Sequence, residues 1–256
     1  MRSISPHYFW GLRARQENRG AVASDGFRDF DMVSIETIHW HTLAPGFLNS
    51  TSRVIDLGAN YGLFARAITE RTGCQCIALE PSPEPFHGIK PSRLIQSIQA
   101  AVAGKSGTMG FRVDPANPLA GALTEDKSDV QVRVMTLPEL IQELDWSAVD
   151  LLKVDIEGAE IEMLAACPDQ LLSERIRQIS IEFHDFCGIT PAAAVRRCLG
   201  RLHSLGFASI RMSRIGHQDT WLINRHLLPI TRYNILYHRL VTRNWYGAKR
   251  VASRLF

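Results

Sequence analysis

The chain of 256 residues lacks any long apolar run. No stretch reaches the roughly 18 consecutive apolar residues of a membrane-spanning helix, and residues 1–15 lack the apolar core of a secretory signal. Apolar residues still make up 45% of the chain and charged residues 21%, as is usual for globular proteins. The sequence therefore predicts a cytoplasmic protein with one well-buried α/β domain and some additional elements.

Cysteine is scarce, and its spacing excludes the common structural zinc motifs. The five cysteines are odd in number and lack paired zinc-ligand spacing. Cys74 and Cys76 flank a predicted strand, where we expect them to pack as small apolar side chains. A reducing compartment follows as the default expectation.

Acidic residues are absent from the end of the chain. After Asp219 there is no Asp or Glu, whereas seven Lys and Arg residues follow. Without those seven, the net charge of +3 would become −4, so the rest of the protein is mildly acidic. The apolar and basic residues of 225–256 predict an amphipathic helical extension. Such a helix can contact an anionic membrane or an acidic partner, or it can dock on its own domain; the sequence leaves both open.

The segment 54–62, VIDLGANYG, places a small-residue turn between a predicted strand and a predicted helix. This is the part of an open α/β sheet where nucleotide-like ligands bind. Gly58 and Gly62 lack a Cβ, so the backbone can turn sharply and approach a ligand. The helix after Asn60 offers free N–H groups, and Asp56 can orient the loop or bind an ammonium group.

The same loop lacks the G-x-G-x-x-G pattern of dinucleotide sites. It reads D-x-G-x-N-x-G, and its acid would repel a pyrophosphate. S-adenosylmethionine, with a sulfonium and an amino group, suits the loop better. One alternative, which this spacing disfavours, is a nicotinamide-dependent dehydrogenase of similar topology. The other alternative is an ordinary turn rich in small residues that binds no ligand.

The second predicted strand, 76–80, ends in Glu80, where an acid accepts hydrogen bonds from the ribose hydroxyls of a nucleoside. Pro81 and the prolines after it predict a short or distorted second helix. A third strand is expected over residues 97–103, with Ala101 near an adenine.

Three regions are expected along the chain. Residues 1–48 form a lead-in or lid that includes a helix between residues 32 and 43, and residues 49–224 form the ligand-binding domain. A strand pair inserted near 104–135 is a candidate substrate wall. The extension at 225–256 follows.

Acidic side chains crowd the loop after the predicted buried strand 149–154. Asp155 and Glu157 follow that strand, and Glu160 begins the next helix, where Glu157 and Glu160 can also act as helix caps. Asp155 should face the reacting centre, because its strand should lie beside the strand of Asp56.

The predicted strand at 179–185 ends in an acid–imidazole–acid cluster of Glu182, His184 and Asp185. Together with Asp155, these residues offer oxygen and imidazole ligands for a divalent cation such as Mg²⁺. His184 is alternatively a general base. The candidate catalytic residues are therefore His184, Asp155 and Glu157, and the candidate metal ligands are Asp155, Glu182 and His184.

Four segments resemble the FkbM family of S-adenosylmethionine-dependent methyltransferases: VIDLGANYGLFA (54–65), ALEP (78–81), LLKVDIEGAEIEML (151–164) and IEFH (181–184). The resemblance covers roughly residues 50–224. It implies a class I methyltransferase fold, which is a Rossmann-like seven-stranded sheet, mostly parallel with the last strand antiparallel, and helices on both faces. It also implies O-methylation of a hydroxyl on a sugar, glycan or natural product. The residues expected to bind the cofactor are Asp56, Gly58, Asn60, Tyr61, Gly62, Glu80, Pro81, Ala101 and Asp155.

Two other functions are weighed against this one. A non-catalytic module could keep the fold and act through its basic tail, but acids at the strand ends favour catalysis. Methylation of nucleic acid is disfavoured, because the body is acidic and the Asn/Asp-Pro-Pro-aromatic motif of amino-methylating enzymes is absent. The expected partner is a small-molecule or carbohydrate acceptor.

Overall fold

The computed structural model describes residues 32–114, 117–124 and 130–244, with residues 113–114 and 117–122 described by their backbone alone. The expected lead-in at 1–31 and the last part of the C-terminal extension, 245–256, lie outside this description. None of the helices in the described ranges combines the length and the apolar composition needed to traverse a bilayer.

The strands are, in chain order, β1 (Glu36–Ile38), β2 (His41–Leu43), β3 (Arg53–Leu57), β4 (Gln75–Leu79), β5 (Ile95–Ile98), β6 (Ala101–Val102), β7 (Gly107–Asp114), β8 (Asn117–Thr124), β9 (Val130–Met135), β10 (Leu151–Val154), β11 (Gln178–Ile181), β12 (Phe207–Arg211) and β13 (Thr220–Asn224). The helices are α1 (Leu63–Thr72), α2 (Pro83–Gly88), α3 (Leu137–Glu143), α4 (Glu160–Ala166), α5 (Asp169–Arg175), α6 (Ala192–Ser204) and α7 (Arg232–Tyr237). A 3₁₀ turn covers Pro45–Phe47, and a π-helical turn, His238–Thr242, follows α7.

Among the described residues, the main sheet has seven strands in the order β12-β13-β11-β10-β3-β4-β5. Every neighbouring pair is parallel except those of β13, which is antiparallel to both β11 and β12. The expected sheet, mostly parallel with an antiparallel last strand, is confirmed. The strand order reverses between β3 and β10, and ligands of open α/β sheets bind at such a point.

The central strands are apolar on both faces because helices cover both faces. On β3, Ile55 and Leu57 join one buried cluster with residues of α3, α4 and α6, whereas Val54 joins a second cluster with residues of α1. The buried charged residues on β3 and β10, Asp56 and Lys153, therefore require a specific interaction.

A second sheet, in the order β6-β9-β7-β8, is inserted after β5. The third strand expected over 97–103 is divided, because β5 joins the main sheet and β6 pairs with β9. Strands at 107–114 and 130–135 pair antiparallel, but the polar connection between them contains a further strand, β8. Pro118 and Gly121 disfavour the prediction of a strand from the sequence. Proline is tolerated there because β8 is an edge strand.

The expected helix over residues 32–43 is wrong. This segment forms a hairpin of β1 and β2, in which Ile38 pairs with His41. His39 and Trp40 form its two-residue turn with positive φ values of 43° and 70°. Turns of this kind are usually marked by Asn-Gly or Asp-Gly. This one carries neither, so the sequence shows no turn, and the spacing of the apolar residues predicts a helix instead.

The hairpin is attached to the main sheet by polar contacts. The backbone N–H and the hydroxyl of Thr42 donate to the carboxylate of Asp219 at 3.1 and 2.6 Å. The N–H of Ala44 donates to Oε1 of buried Gln178 at 3.0 Å. These contacts hold His41, which is only 2% exposed, against the end of β11.

The C-terminal segment docks through a face that carries both polar and apolar side chains. Asn234, Ile235 and His238 are buried there, and Ile235 joins a hydrophobic cluster with Trp221. A group of apolar side chains stays exposed: Tyr233, Leu236, Tyr237, Leu240 and Val241. Contact of this segment with an anionic membrane or an acidic partner stays a prediction.

Candidate functional site

A cleft with about 730 Å³ of empty space opens at the carboxyl ends of β3, β4 and β10. Its lining includes most of the residues expected to bind a cofactor: Gly58, Asn60, Glu80, Pro81, Ala101 and Asp155. Three others, Asp56, Tyr61 and Gly62, are not part of the lining.

The loop after β3 can form only because position 58 is a glycine. Gly58 has a φ of +71°, and a Cβ there would lie 1.8 Å from the carbonyl oxygen of Asp155. The N–H groups of Gly58 and Ala59 donate to the carbonyl of Leu79 at 3.0 and 2.8 Å. The loop is therefore fixed against both neighbouring strands, with its backbone facing the cleft.

Asp56 stabilises this loop through Lys153 and does not line the cleft itself. It is fully buried, and its Oδ1 lies 3.0 Å from Nζ of Lys153, its register partner on β10. The same Nζ donates to the carbonyls of Leu57 at 3.1 Å and Gly58 at 2.7 Å. Burial alone would lower the pKa of Lys153, but the carboxylates of Asp56 and Asp155 outweigh it and raise that pKa. The lysine thus remains charged and ties β10 to the loop.

Glu80 is fixed by two backbone donors. Its Oε2 accepts from the N–H of Asn60 at 2.7 Å, and its Oε1 accepts from the N–H of Ser82 at 2.8 Å. Burial raises the pKa of Glu80, and these backbone hydrogen bonds oppose that shift. Each oxygen keeps a second lone pair that can accept from a ligand hydroxyl.

The inserted sheet supplies an apolar wall opposite the loops. Val102 follows β5 in the chain, and Phe111 and Leu123 come from β7 and β8. Ile156 lines the cleft from the side of β10. This combination of apolar walls with a few polar groups is typical of sites that bind small molecules.

Tyr61 and Gly62 contribute to the loop rather than to the cleft. The Tyr61 hydroxyl donates to Oε1 of Glu84 at 3.0 Å, and its ring is 37% exposed. Gly62 precedes α1 with a φ of +71°, and a Cβ there would lie 2.9 Å from Cγ2 of Ile89.

Next to the cleft, six titratable residues form a cluster that we call the acid–imidazole cluster: His41, Asp155, Glu157, Glu160, Glu182 and His184. Nδ1 of His184 lies 2.9 Å from Oε1 of Glu160, and its Nε2 lies 3.1 Å from Oε2 of Glu157. Oδ1 of Asp155 is 3.7 Å from the same Nε2, and its Oδ2 is 3.8 Å from Nε2 of His41. Asp155 therefore lies between the two rings.

Mutual charge controls the protonation of this cluster. Burial alone would lower the pKa of His184, but hydrogen bonds to Glu157 and Glu160 raise it to about 11. Burial, with the charge of Asp155, raises the pKa of Glu182 to about 7. Burial would raise the pKa of Asp155, but His41 and Lys153 lower it to about 2. With both nitrogens of His184 facing carboxylates, this arrangement does not favour His184 as a proton acceptor, and that role stays a prediction.

The loop that carries Glu157 is strained. Glu157 has a φ of +53°, a conformation that non-glycine residues rarely adopt, and Gly158 follows with a φ of +106°. Oε1 of Glu160 accepts from the N–H groups of Ile156 at 3.3 Å and Gly158 at 3.0 Å, which holds the turn. Strained backbone of this kind is often found at functional sites.

The sequence interpretation missed two residues of this region. Lys153 has a usable signal: in K-x-D the two side chains project to the same side of β10, next to the strand of Asp56. His41 has none, because its position depends on the unmarked turn at His39 and Trp40.

Comparison with known proteins gives a family for the chain. A family model described as "Methyltransferase FkbM domain" matches residues 56–207, more than half of the chain. The chain is 25% identical over 173 residues to 31-O-demethyl-FK506 methyltransferase FkbM of Streptomyces tacrolimicus, covering 53% of this chain and 66% of that relative. It is 22% identical over 176 residues to hexuronic acid methyltransferase AglP of Haloferax volcanii, covering 66% of this chain and 69% of the relative.

A solved structure is also similar to the chain. The crystal structure of methyltransferase FkbM from Methylobacillus flagellatus has a TM-score of 0.48 and 12% identity, covering 69% of this chain and 44% of that chain. The chain thus spans less than half of that protein and about two thirds of the first relative.

Proposed function

Because the chain belongs to the FkbM methyltransferase domain family, we propose that it transfers a methyl group from S-adenosylmethionine to a hydroxyl oxygen of a sugar, glycan or natural product. The observation that carries this proposal is the cleft at the switch point of the sheet. Glu80 at one strand end and Asp155 at another both face the same space there.

The lining of the cleft fits that donor. Glu80 has free lone pairs for the two ribose hydroxyls, and Asp155 is a charged carboxylate with a pKa of about 2 that can face a cation. The Gly58 loop contributes backbone groups to the amino-acid end of the donor. Phe111 and Leu123 support the stacking of an adenine against an apolar wall.

S-adenosylmethionine, when bound, supplies an electrophilic methyl group on a positively charged sulfur. The residues of the chain have to hold an acceptor oxygen in line with that methyl group, and such positioning accounts for much of the rate. The acceptor hydroxyl loses its proton as its oxygen gains the methyl group. We assign this activation to the acid–imidazole cluster, either through a carboxylate base or through a divalent cation bound by members of that cluster.

Glu80→Ala is expected to weaken binding of S-adenosylhomocysteine roughly tenfold to a hundredfold, since it removes charge-assisted hydrogen bonds to the ribose. Isothermal titration calorimetry on the purified chain measures this. Glu84→Ala is the matched control, because Glu84 is an exposed acid on α2 whose partner is the Tyr61 hydroxyl. Equal affinity of wild type and Glu80→Ala would contradict the assigned ribose contact.

The reaction itself is tested with a methyl-labelled donor and a panel of hydroxylated acceptors that includes neutral sugars, uronic acids and macrocycles. The expected product is a methyl ether, formed one-to-one with S-adenosylhomocysteine. Transfer of the label to nitrogen or carbon, or donor binding without transfer to any hydroxyl, would overturn the proposed reaction.

A further inference from the structure

Within the acid–imidazole cluster, three ligand-type atoms lie close to one another. They are Oδ1 of Asp155, Oε2 of Glu157 and Nε2 of His184, and these residues form a group whose ligand atoms lie within 4.8 Å of one another. The nitrogen is 3.1 Å from the Glu157 oxygen and 3.7 Å from the Asp155 oxygen. Both carboxylates line the cofactor cleft, so the point that they surround is open to a bound acceptor.

These separations suit a bound cation. Two ligand atoms about 2.1 Å from one ion lie about 3.0 Å apart in an octahedron and about 3.4 Å apart in a tetrahedron. The observed distances are within a few tenths of an ångström of those values. Three protein ligands with open positions is also the usual composition of a catalytic rather than a structural metal site.

Glu160 orients the imidazole for this role. Its fully buried carboxylate bonds Nδ1 of His184 at 2.9 Å, so Nε2 is the nitrogen that faces Asp155 and Glu157. The same Glu160 oxygen accepts two backbone N–H groups, from Ile156 and Gly158, which fixes its own position. A carboxylate behind a histidine is a frequent outer partner in metal sites.

We propose that Asp155, Glu157 and His184 bind one divalent transition cation, such as Mn²⁺ or Zn²⁺, and that the acceptor hydroxyl occupies an open position on it. The imidazole ligand favours such ions over Mg²⁺. Glu157 replaces Glu182 in the ligand set expected from the sequence, because its oxygen lies against Nε2 of His184. The statement about the acceptor rests on the proposed methyl transfer, whereas the cation site does not.

A second group, His41, Asp155 and Glu182, shares Asp155 and meets the same distance limit. It faces Oδ2 of Asp155, which is also 4.0 Å from Nζ of Lys153. A buried ammonium group this close repels a cation. The group with His184 is therefore the one that we assign.

A cation at this point would supply the activation that methyl transfer to oxygen requires. It lowers the pKa of a coordinated hydroxyl, whose proton leaves to solvent. The oxygen lone pair then forms the C–O bond as the C–S bond of the donor breaks, and the sulfur keeps that electron pair.

The test uses the purified full chain, stripped with a chelator and titrated with Mn²⁺ alone, with bound ion followed by electron paramagnetic resonance. We expect one ion per wild-type chain and its loss in Glu157→Gln and His184→Ala. Glu160→Gln should weaken binding roughly 10–100-fold. His203→Ala is the matched control, because that exposed histidine bonds Ser209 away from the cluster and should leave binding unchanged. Circular dichroism of each variant checks the fold.

The results separate this site from its alternatives. No saturable Mn²⁺ binding up to about 1 mM would overturn the cation site. Loss of binding in His41→Ala together with full binding in Glu157→Gln would overturn the assigned ligands in favour of the second group. Methyl transfer that continues undiminished in excess chelator would overturn the role of the cation while leaving the proposed reaction intact. Mn²⁺ binding by a chain that does not bind S-adenosylhomocysteine would sustain the site and refute the proposed reaction.

Discussion

Lys153→Met is expected to lower the free energy of unfolding by about 3–5 kcal/mol, because it leaves Asp56 as a buried charge without its partner. Asp56 is fully buried and lies 3.0 Å from the lysine nitrogen. At this chain length the loss corresponds to a fall in melting temperature of roughly 10 °C. Thermal and urea unfolding followed by circular dichroism measure both quantities.

Two further variants isolate the cause. Lys105→Met removes an exposed lysine and should change stability by less than about 0.5 kcal/mol. The double variant Lys153→Met with Asp56→Leu replaces the whole pair by apolar side chains and should recover much of the loss. If the double variant were as unstable as Lys153→Met, an unpaired Asp56 would not be the cause. The double variant should still bind S-adenosylhomocysteine weakly, since the link from Lys153 to the carbonyl of Gly58 is lost.

Gly58→Ala is expected to cost roughly 2–4 kcal/mol of stability and most of the affinity for S-adenosylhomocysteine. The new Cβ would lie 1.8 Å from the carbonyl oxygen of Asp155, and the φ of +71° disfavours any residue with a Cβ. Either the loop or the end of β10 must therefore move, and both line the cleft. Calorimetric titration and thermal unfolding of the same sample give the two effects.

Gly200→Ala is the matched control for this substitution. Gly200 lies within α6, and a Cβ there would meet nothing within 4 Å. The alanine should leave ligand affinity unchanged and raise stability by up to about 1 kcal/mol, because glycine is a poor helix former. Wild-type affinity in Gly58→Ala would show that the loop adapts and that the close contact does not constrain the site.

Much of the main sheet was predictable from the sequence, because its buried strands are short apolar runs that end in acids. The position of β10 beside β3 is confirmed. The proline-rich segment after Glu80 forms a helix of only six residues, as its prolines predict. In each case a local property of the residues determines the element.

The errors arose where structure depends on distant partners or on unmarked turns. The turn at His39 and Trp40 has a left-handed backbone without glycine or asparagine, and its hairpin is held by Asp219 and Gln178 far along the chain. β8 forms by pairing antiparallel with β7. Residue spacing predicts neither the hairpin nor β8. The sequence therefore could not place His41 in the acid–imidazole cluster.

The attachment of the hairpin joins two ends of the described chain. The N–H of Val33 donates to Asn234 at 2.6 Å, and the carbonyl of Val33 accepts from His238 at 2.8 Å. Together with the bond from Thr42 to Asp219, these contacts mean that the segment before β3 is anchored by residues that follow it in the chain by 177 to 205 positions. A nascent chain that emerges from the ribosome can form β3 and its glycine loop first, but Asp219 must be synthesised before its bond with Thr42 can hold His41 beside Asp155.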